Sequence, residues 1–553
     1  MKKNIFICLL ALLISAPTFA CTNLLVAKGA SIDGSTMVTY SADSYSLFGE
    51  LYHWPAAKYP AGAMLDVTEW DTGKFLGKIP QVRQTYNVIG NMNEYQLCIG
   101  ETTFGGRKEL VDTTGIIDYG SLIYITLQRA KTAREAIQIM GDLVKNHGYC
   151  SGGESFSIVD KNEVWIMEMS GKGPGNKGAV WVAVRIPDDC IAAHANQARI
   201  HQFPLNDKEN CVYSPDVISF ARSQGYFNGK DADFSFSKAY NPLDFGGLRF
   251  CEARVWSFFN QYNKDAAKWL DYILLKDPNP MPLYIKPDRK LSVKDLMDSM
   301  RDHYEGTPLD PTKDIAAGPF NSPYRFSPLR WQFEDETYFF ERPISTQQAG
   351  FSFVAQMRNY LPDEVGGVFW FGVDDPMFSV YSPMYASMTQ VPECFRVGNG
   401  DFNTFSWTSA FWIHNWVANM AYNRYSQMIL DTKPLQDKLE LGFIEMQSLV
   451  DQKAVEILKK GRNEALAFLT DYSISQAEKA TADWKKLGEY LIVKYMDGAV
   501  KKEKDGKLIT SEYGTSQYPD RPQLNPDYAR KIVKEKGDWL KVKEVPKEYL
   551  EQK

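Results

Sequence analysis

A short leader followed directly by a cysteine constrains this 553-residue chain more than any other feature. Met1-Lys2-Lys3 is a positive start, Ile5 to Ile14 is an apolar stretch too short to cross a bilayer, and Thr18 and Ala20 are small residues at the cleavage positions. This is the pattern of a secretory signal peptide over residues 1–20. The mature chain is therefore expected to be exported, periplasmic or extracellular, and to begin at Cys21. No later apolar run is long enough for a membrane helix. Beyond the leader the pattern is β. Thr22 to Ala27 reads as a strand, Ile32-Asp33-Gly34 as a tight turn and Thr36 to Tyr40 as the returning strand. The new N-terminus is thus placed on a hairpin strand, a rigid mount for a reactive group.

Further along, helical and strand patterns alternate in blocks. Tyr119 to Ala130 reads as a helix. A second helix is expected from Thr132, with Glu135 completing a capping box and Ala136, Ile137, Ile139, Met140 and Leu143 forming its apolar stripe. Ser155 to Val159 and Val164 to Met169 flank the hairpin turn Asp160-Lys161-Asn162, and Ala179 to Ile186 and Ile191 to Ala195 continue as a meander. Helices between blocks of antiparallel strands indicate an α+β layered fold. The later part is helical: Thr408 to Met428, Leu435 to Lys459 and Ile474 to Met496, with a charged, Pro-dotted end from Lys501. The expected organisation is a leader (1–20), a catalytic domain (21–430) and a helical C-terminal extension (431–553).

The net charge of -6 and pI near 5.7 argue against a nucleic-acid partner. The aromatic content of 13% suits large packed sheets as well as an apolar pocket. Cys8 leaves with the leader. Cys98, Cys150, Cys190, Cys211, Cys251 and Cys394 could pair in an oxidising compartment, with no pairing assignable from sequence, and Cys21 is the cysteine left over.

Cleavage after Ala20 would leave Cys21 with both a thiol and a free α-amine. Reference pKa values are about 8.5 for the thiol and about 7.7 to 8.0 for the amine. The amine is an adequate base near neutral pH, tethered beside its own nucleophile, so no separate histidine is required. The chain has six histidines and no metal-binding spacing, and no metal or organic cofactor is called for. The competing reading of a cysteine after a leader is a lipidated one. Thr18-Phe19-Ala20-Cys21 is a poor match to that signal, and lipidation would consume thiol and amine together.

Several motifs carry a resemblance. They are Cys21-Thr22-Asn23-Leu24-Leu25-Val26, Asp33-Gly34-Ser35-Thr36-Met37, Ser41-Ala42-Asp43-Ser44, Asn91-Met92-Asn93-Glu94, Gly153-Glu154-Ser155, Glu163-Val164-Trp165, His194-Ala195-Asn196-Gln197-Ala198-Arg199 and Ser379-Val380-Tyr381-Ser382-Pro383. Together, from Cys21 to about Asp431, they resemble the cysteine-nucleophile dipeptidase family. That family is a branch of the N-terminal-nucleophile (Ntn) hydrolases, more distantly related to secernins, penicillin V acylases and bile salt hydrolases. The resemblance implies two stacked antiparallel sheets between helical layers, an αββα sandwich. It implies Cys21 as nucleophile with its own amine as base, Asp43 as the acid beside that amine, and Asn196 as an oxyanion donor. Such a donor is worth on the order of 3 kcal/mol of barrier. One departure is visible: relatives commonly carry Arg three residues before the Asp, where this chain has Tyr40. A neutral Tyr cannot lower the thiol pKa by charge, so Arg199 and Arg254 are the candidate cations in its place. His194 reads as a satisfied sheet histidine.

The expected activity is hydrolysis of small peptides, most simply dipeptides. An Ntn acyl-amidase of the penicillin V acylase or bile salt hydrolase kind is the nearest alternative, and a peptide-binding surface lipoprotein without catalysis is the alternative of another class. A dipeptide presents an ammonium and a carboxylate, so an acid and a base are expected in the pocket, with Glu101, Arg199 and Arg254 as the candidates. A homo-oligomer is left open. N-terminal sequencing and intact mass of the exported protein are expected to show an unmodified Cys21 start; a diacylglyceryl mass on Cys21, or a start elsewhere, removes the amine-as-base mechanism.

Overall fold

The hairpin expected after the leader is present, and its second strand is longer than the sequence suggests. In the computed structural model, which describes residues 21–325, 329–546 and 549, Asn23–Val26 pairs antiparallel with Thr36–Asp43. The leader itself lies outside the described residues. Gly34 makes the turn at a φ of 79°, the left-handed region that glycine enters without penalty.

This hairpin is the centre of a seven-stranded sheet. Its order is Tyr284–Ile285, Ile191–His194, Asn23–Val26, Thr36–Asp43, Ala349–Met357, Gly367–Val373 and Ser382–Tyr385, and every pairing is antiparallel. A second antiparallel sheet runs Cys211–Tyr213, Ala179–Ile186, Val164–Gly171, Gly153–Val159, Cys98–Gly105, Met92–Asn93, Val88–Ile89 and His53–Trp54. The fold is α+β, as expected. Ile191–His194, however, does not continue the meander. It crosses to the first sheet and pairs with Asn23–Val26, helped by the Ala27 N–H donating to the Cys190 carbonyl and the Gly29 N–H to that of Asp188. Nothing in its apolar pattern distinguishes the two partners, because both sheets are buried on both faces.

Side chains alternate along each strand, and that period sorts them into separate cores. Val38, Tyr40 and Ala42 join Phe353 and Phe369 of the first sheet and Val164 and Ile166 of the second in one shared core. Met37, Val354 and Trp370 face the other way and pack with Leu24, Val26 and the helices Ala253–Tyr262, Val293–Ser299 and Ala410–Tyr422. On the far side of the second sheet, Trp165 and Met167 pack against Leu122 of helix Tyr119–Leu127 and Ile137 and Met140 of helix Ala133–His147. Each such side chain contributes about 1.5 to 3 kcal/mol on burial.

Two sequence expectations are refined here. Thr132 does cap its helix, accepting the Glu135 N–H at 3.2 Å, but the Glu135 carboxylate turns to the Lys131 N–H at 2.8 Å, so the reciprocal half of the box is not made with Thr132. The C-terminal helices are also differently cut. One ends at Tyr422, the next spans Tyr425–Leu458 with Pro434 inside it, and the third runs Arg462–Lys494. The sequence pattern left a gap between Met428 and Leu435; the chain is helical through that gap and breaks instead at Arg424, whose φ of -140° is not helical. From Lys501 the chain stays mostly exposed, with a short hairpin and the helix Pro526–Lys536.

The helix Tyr425–Leu458 is tied to the body of the fold by two buried ion pairs. Glu440 receives Arg301 at 2.5 and 3.0 Å and the Tyr381 N–H at 3.0 Å, and Asp451 binds Arg358 and the Tyr385 hydroxyl. Glu440→Ala removes the bidentate partner of the buried Arg301 guanidinium and leaves Asp298, at 3.5 Å, as its remaining carboxylate; urea denaturation is expected to show a loss of about 3 kcal/mol. An unchanged midpoint would mean that this helix is held by apolar packing alone.

Candidate active site

Three strands and one helix turn bring the site together. Cys21 and Thr22 enter the Asn23–Val26 strand, Tyr40 and Asp43 lie on the strand paired to it, and Glu101 comes from Cys98–Gly105 of the other sheet. The sheets approach closely under the site because residue 100 is glycine: a Cβ there would stand 2.6 Å from the Asn23 amide and 3.3 Å from Tyr40 Cβ. Asn23, with its amide turned as its neighbours require, donates to the Glu101 carbonyl (3.0 Å) and accepts the Glu101 N–H (3.2 Å). The backbone that carries the carboxylate is thus pinned to the strand that carries the thiol.

The Cys21 thiol is buried, 3.6 Å from Glu101 Oε1 and 3.8 Å from the Tyr40 hydroxyl. Tyr40 donates to the same Glu101 oxygen at 2.6 Å. Burial, then the negative charges of Glu101 and Asp43, push the thiol well above its ordinary range; the Asp43 N–H and the Tyr40 hydroxyl oppose this. Tyr40 therefore does not act as the missing arginine. Burial also raises Glu101, and it raises Glu154 well above the usual carboxylate range, with the charge of Glu101 adding to it.

Asp43 is fully buried and paired with Arg342, Nη2 to Oδ2 at 2.6 Å, with Ser41 also donating to it at 3.1 Å. Burial keeps its carboxyl raised despite Arg342 and Arg254. Its second oxygen, Oδ1, is buried without a hydrogen-bond partner.

Arg254 is the organising group. It follows a π-helical turn, Gly247–Glu252, on the first turn of helix Ala253–Tyr262. Its guanidinium donates to the Cys21 carbonyl (2.6 Å), Thr22 Oγ1 (2.6 Å), the Ala195 carbonyl (3.1 Å) and Asn196 Oδ1 (2.9 Å), and its Nε to the Phe250 carbonyl (2.6 Å). Asn196 sits in left-handed backbone at φ 63°, which Asn tolerates, and its amide donates to the Thr103 carbonyl at 2.8 Å.

Cys21, Asp43 and Glu101 line one cavity of about 260 Å³, together with Tyr40, Tyr52, Trp54, Trp70, Asp71, Tyr119 and Tyr124. Arg254 stands behind the nucleophile and Asn196 one hydrogen bond further on; neither is among the lining residues. Arg199 is elsewhere. It is buried against Glu252 (2.8 Å) and the carbonyls of Ala193, Pro282 and Leu283. The acidic half of the expected acid and base pair is in the lining, and the basic half is not. His194 is a sheet histidine: Thr102 and Ser157 each bond one ring nitrogen at 2.7 Å, and burial followed by Arg199 lowers it to about 3, so it stays neutral.

Arg342, Glu154 and Tyr119 are neighbours of the site that sequence reading did not assign. Gly153-Glu154-Ser155 was visible as a motif without a role; Arg342, 299 residues from Asp43, gives no local signal. All seven described cysteines carry free thiols. Among the described residues no group of three or more His, Cys, Asp or Glu is placed to hold a metal ion, and no helix is long and apolar enough to cross a membrane.

A buried thiol on the first strand, backed by carboxylates and a guanidinium, is the equipment of a hydrolase with a cysteine nucleophile. Comparison with known proteins gives that class its family. Residues 20–438 match peptidase family C69, and the chain belongs to that family of cysteine peptidases. It is similar to a protein named "Probable dipeptidase" from Latilactobacillus sakei, 26% identical over 473 residues that cover 82% of this chain and 90% of that one. A "Probable dipeptidase" of Salmonella dublin is 28% identical over 67% of this chain and 81% of its own length. A "Probable dipeptidase B" of Lactococcus lactis is 24% identical over 86% and 95%.

Because the Glu101 charge raises the thiol, Glu101→Gln is expected to lower the thiol pKa. The pH profile of Cys21 alkylation by iodoacetamide, followed by peptide mass spectrometry, should then move to lower pH. An unmoved profile would mean that Glu101 is uncharged beside Cys21.

Proposed function

We propose that the protein is an exported cysteine dipeptidase of Ntn-hydrolase type, working through a thioester on Cys21. The observation that carries the reading is the placement of the Cys21 thiol in a small cavity beside Glu101, Tyr40 and Asp43. Two stacked antiparallel sheets with helices on their outer faces, and relatives named dipeptidases, support it.

The chemistry follows from the groups present. A thiol raised by burial is protonated at neutral pH, so attack needs a base close to sulfur. After removal of the leader the Cys21 α-amine is that base, with a pKa of about 7.7 to 8.0 before perturbation. The unpartnered Oδ1 of Asp43 is an acceptor available to the ammonium that forms once the proton is taken. The ammonium then protonates the leaving amine, and the amine activates water for deacylation. Asn196 supplies a side-chain donor to the oxyanion, its amide oriented by the bond from Arg254 to its oxygen; it would exchange the Thr103 carbonyl for the substrate. Arg254 is a positioning residue, because it holds the carbonyl of the nucleophile and the oxygen of the oxyanion donor on one rigid plane. Arg199 belongs to the scaffold in this scheme.

Cys21→Ala is expected to abolish dipeptide hydrolysis with the circular-dichroism melting curve retained, and a mature chain carrying an extra Met before Cys21 should be nearly as inactive because its α-amine is displaced. Wild-type turnover by either form ends the mechanism. Asn196→Ala is expected to lower kcat by about 10²-fold or more with a smaller change in KM, as for a donor used in the transition state; an unchanged kcat assigns Asn196 to the scaffold.

A further inference from the structure

Three carboxylates in the Cys21 cavity have no cation to answer them. Glu50, Asp71 and Glu101 line it, and none forms an ion pair among the described residues; Asp43 alone of the lining carboxylates has an arginine partner. No Lys, Arg or His is among the described residues lining the cavity. Glu50 accepts the Gly398 N–H at 2.7 Å and Asp71 the Tyr119 hydroxyl at 2.8 Å. Glu101 is 2% exposed, and its Oε2 has no hydrogen-bond partner.

The wall that accompanies these acids is aromatic. Trp54 stacks on Tyr124 at 5.3 Å and 8°, and on Tyr52 at 5.8 Å and 22°. Trp70 meets Tyr52 edge-on at 4.9 Å. Residue 120 has to be glycine for this, since a Cβ there would lie 2.4 Å from the Trp70 side chain. Elsewhere in the chain aromatic faces are taken up by the protein's own cations, as Tyr226 is by Arg107. Among the described residues no Lys or Arg stands over these four rings. Ring faces and uncompensated carboxylates in a partly desolvated cavity attract an organic cation by the same electrostatics, the quadrupole of the ring adding to the charge of the acid.

A dipeptide always brings one cation, its α-ammonium, and Glu101 beside the thiol suffices for that. Glu50 and Asp71 with the aromatic wall are then left for a second. We propose that they form a side-chain subsite for a basic residue, so that the preferred substrates are dipeptides containing Lys or Arg. The proposal rests on the dipeptidase reading and adds the substrate class to it.

The test compares side chains of equal length with and without charge. kcat/KM is measured for Lys-Ala and Arg-Ala against norleucine-Ala, and for Ala-Lys against Ala-norleucine, all with a free α-ammonium. A preference of about tenfold or more for the charged member of a pair is expected, in line with a cation held by a ring face and a carboxylate together. Asp71→Asn and Glu50→Gln, at positions that are not buried, should each draw that ratio toward unity. A ratio near one in the unaltered enzyme, or a ratio that neither variant moves, overturns the subsite. So does a gain from the free amine over N-acetylated norleucine-Ala with no further gain from lysine, which would assign all three carboxylates to the α-ammonium. If no dipeptide is cut at all, the dipeptidase reading has failed on its own account. Calorimetric binding of Lys-Ala against norleucine-Ala to Cys21→Ala then still decides the subsite, equal affinities overturning it.

Discussion

The buried guanidinium of Arg254 joins three stretches of chain that sequence separates by up to 233 residues. It donates to the Cys21 carbonyl, to Thr22 and to the Asn196 turn, while its own helix holds it through the Phe250 carbonyl. A guanidinium out of water is costly unless every donor finds an acceptor, and here the acceptors are carbonyls, a hydroxyl and an amide oxygen. The geometry of Cys21 and Thr22 is therefore tied to the geometry of the proposed oxyanion donor. A shift in either would leave a buried charge unsatisfied, so the two move together or not at all.

Around this clamp the acids are arranged in tiers. Asp43 is compensated by Arg342, Glu101 and Glu154 share burial with each other, and Glu50 and Asp71 stand toward the open part of the cavity. Burial raises the thiol and the two inner glutamates together. Burial keeps the thiol in its protonated form, which suits a nucleophile activated only when a base and a substrate are both in place. Tyr40 fits the same scheme. Where relatives commonly carry a cation, it bonds Glu101 at 2.6 Å and so shapes the proton inventory without adding charge.

Much of this was readable before any tertiary contact was known. Cys21 stood out because a leader-like pattern ends immediately before it, a purely local signal. The hairpin, the Asp160 turn and the apolar stripe of helix Ala133–His147 were legible because their signals span fewer than a dozen residues and match the periods 2 and 3.6. Asp43 and Asn196 were nameable through motif resemblance and not through chemistry visible in their neighbours. Glu101 was a candidate recogniser of the substrate amine; its contact with the thiol itself depends on how the second sheet is laid on the first.

The sequence by itself pointed to the class of chemistry: a cysteine directly after a leader-like pattern, at the head of a strand, in an α+β chain. Tertiary structure alone decided which charges share the site. Arg342 reaches Asp43 across 299 residues, Ile191–His194 joins the first sheet instead of extending the second, and Arg199, a plausible cation on paper, is spent on Glu252 and three carbonyls. The reason is physical. Periodicity and capping are encoded within a turn or two of chain, whereas ion pairing and sheet partnership are settled by which buried groups leave the fewest charges and backbone donors unsatisfied, a property of the whole packed molecule.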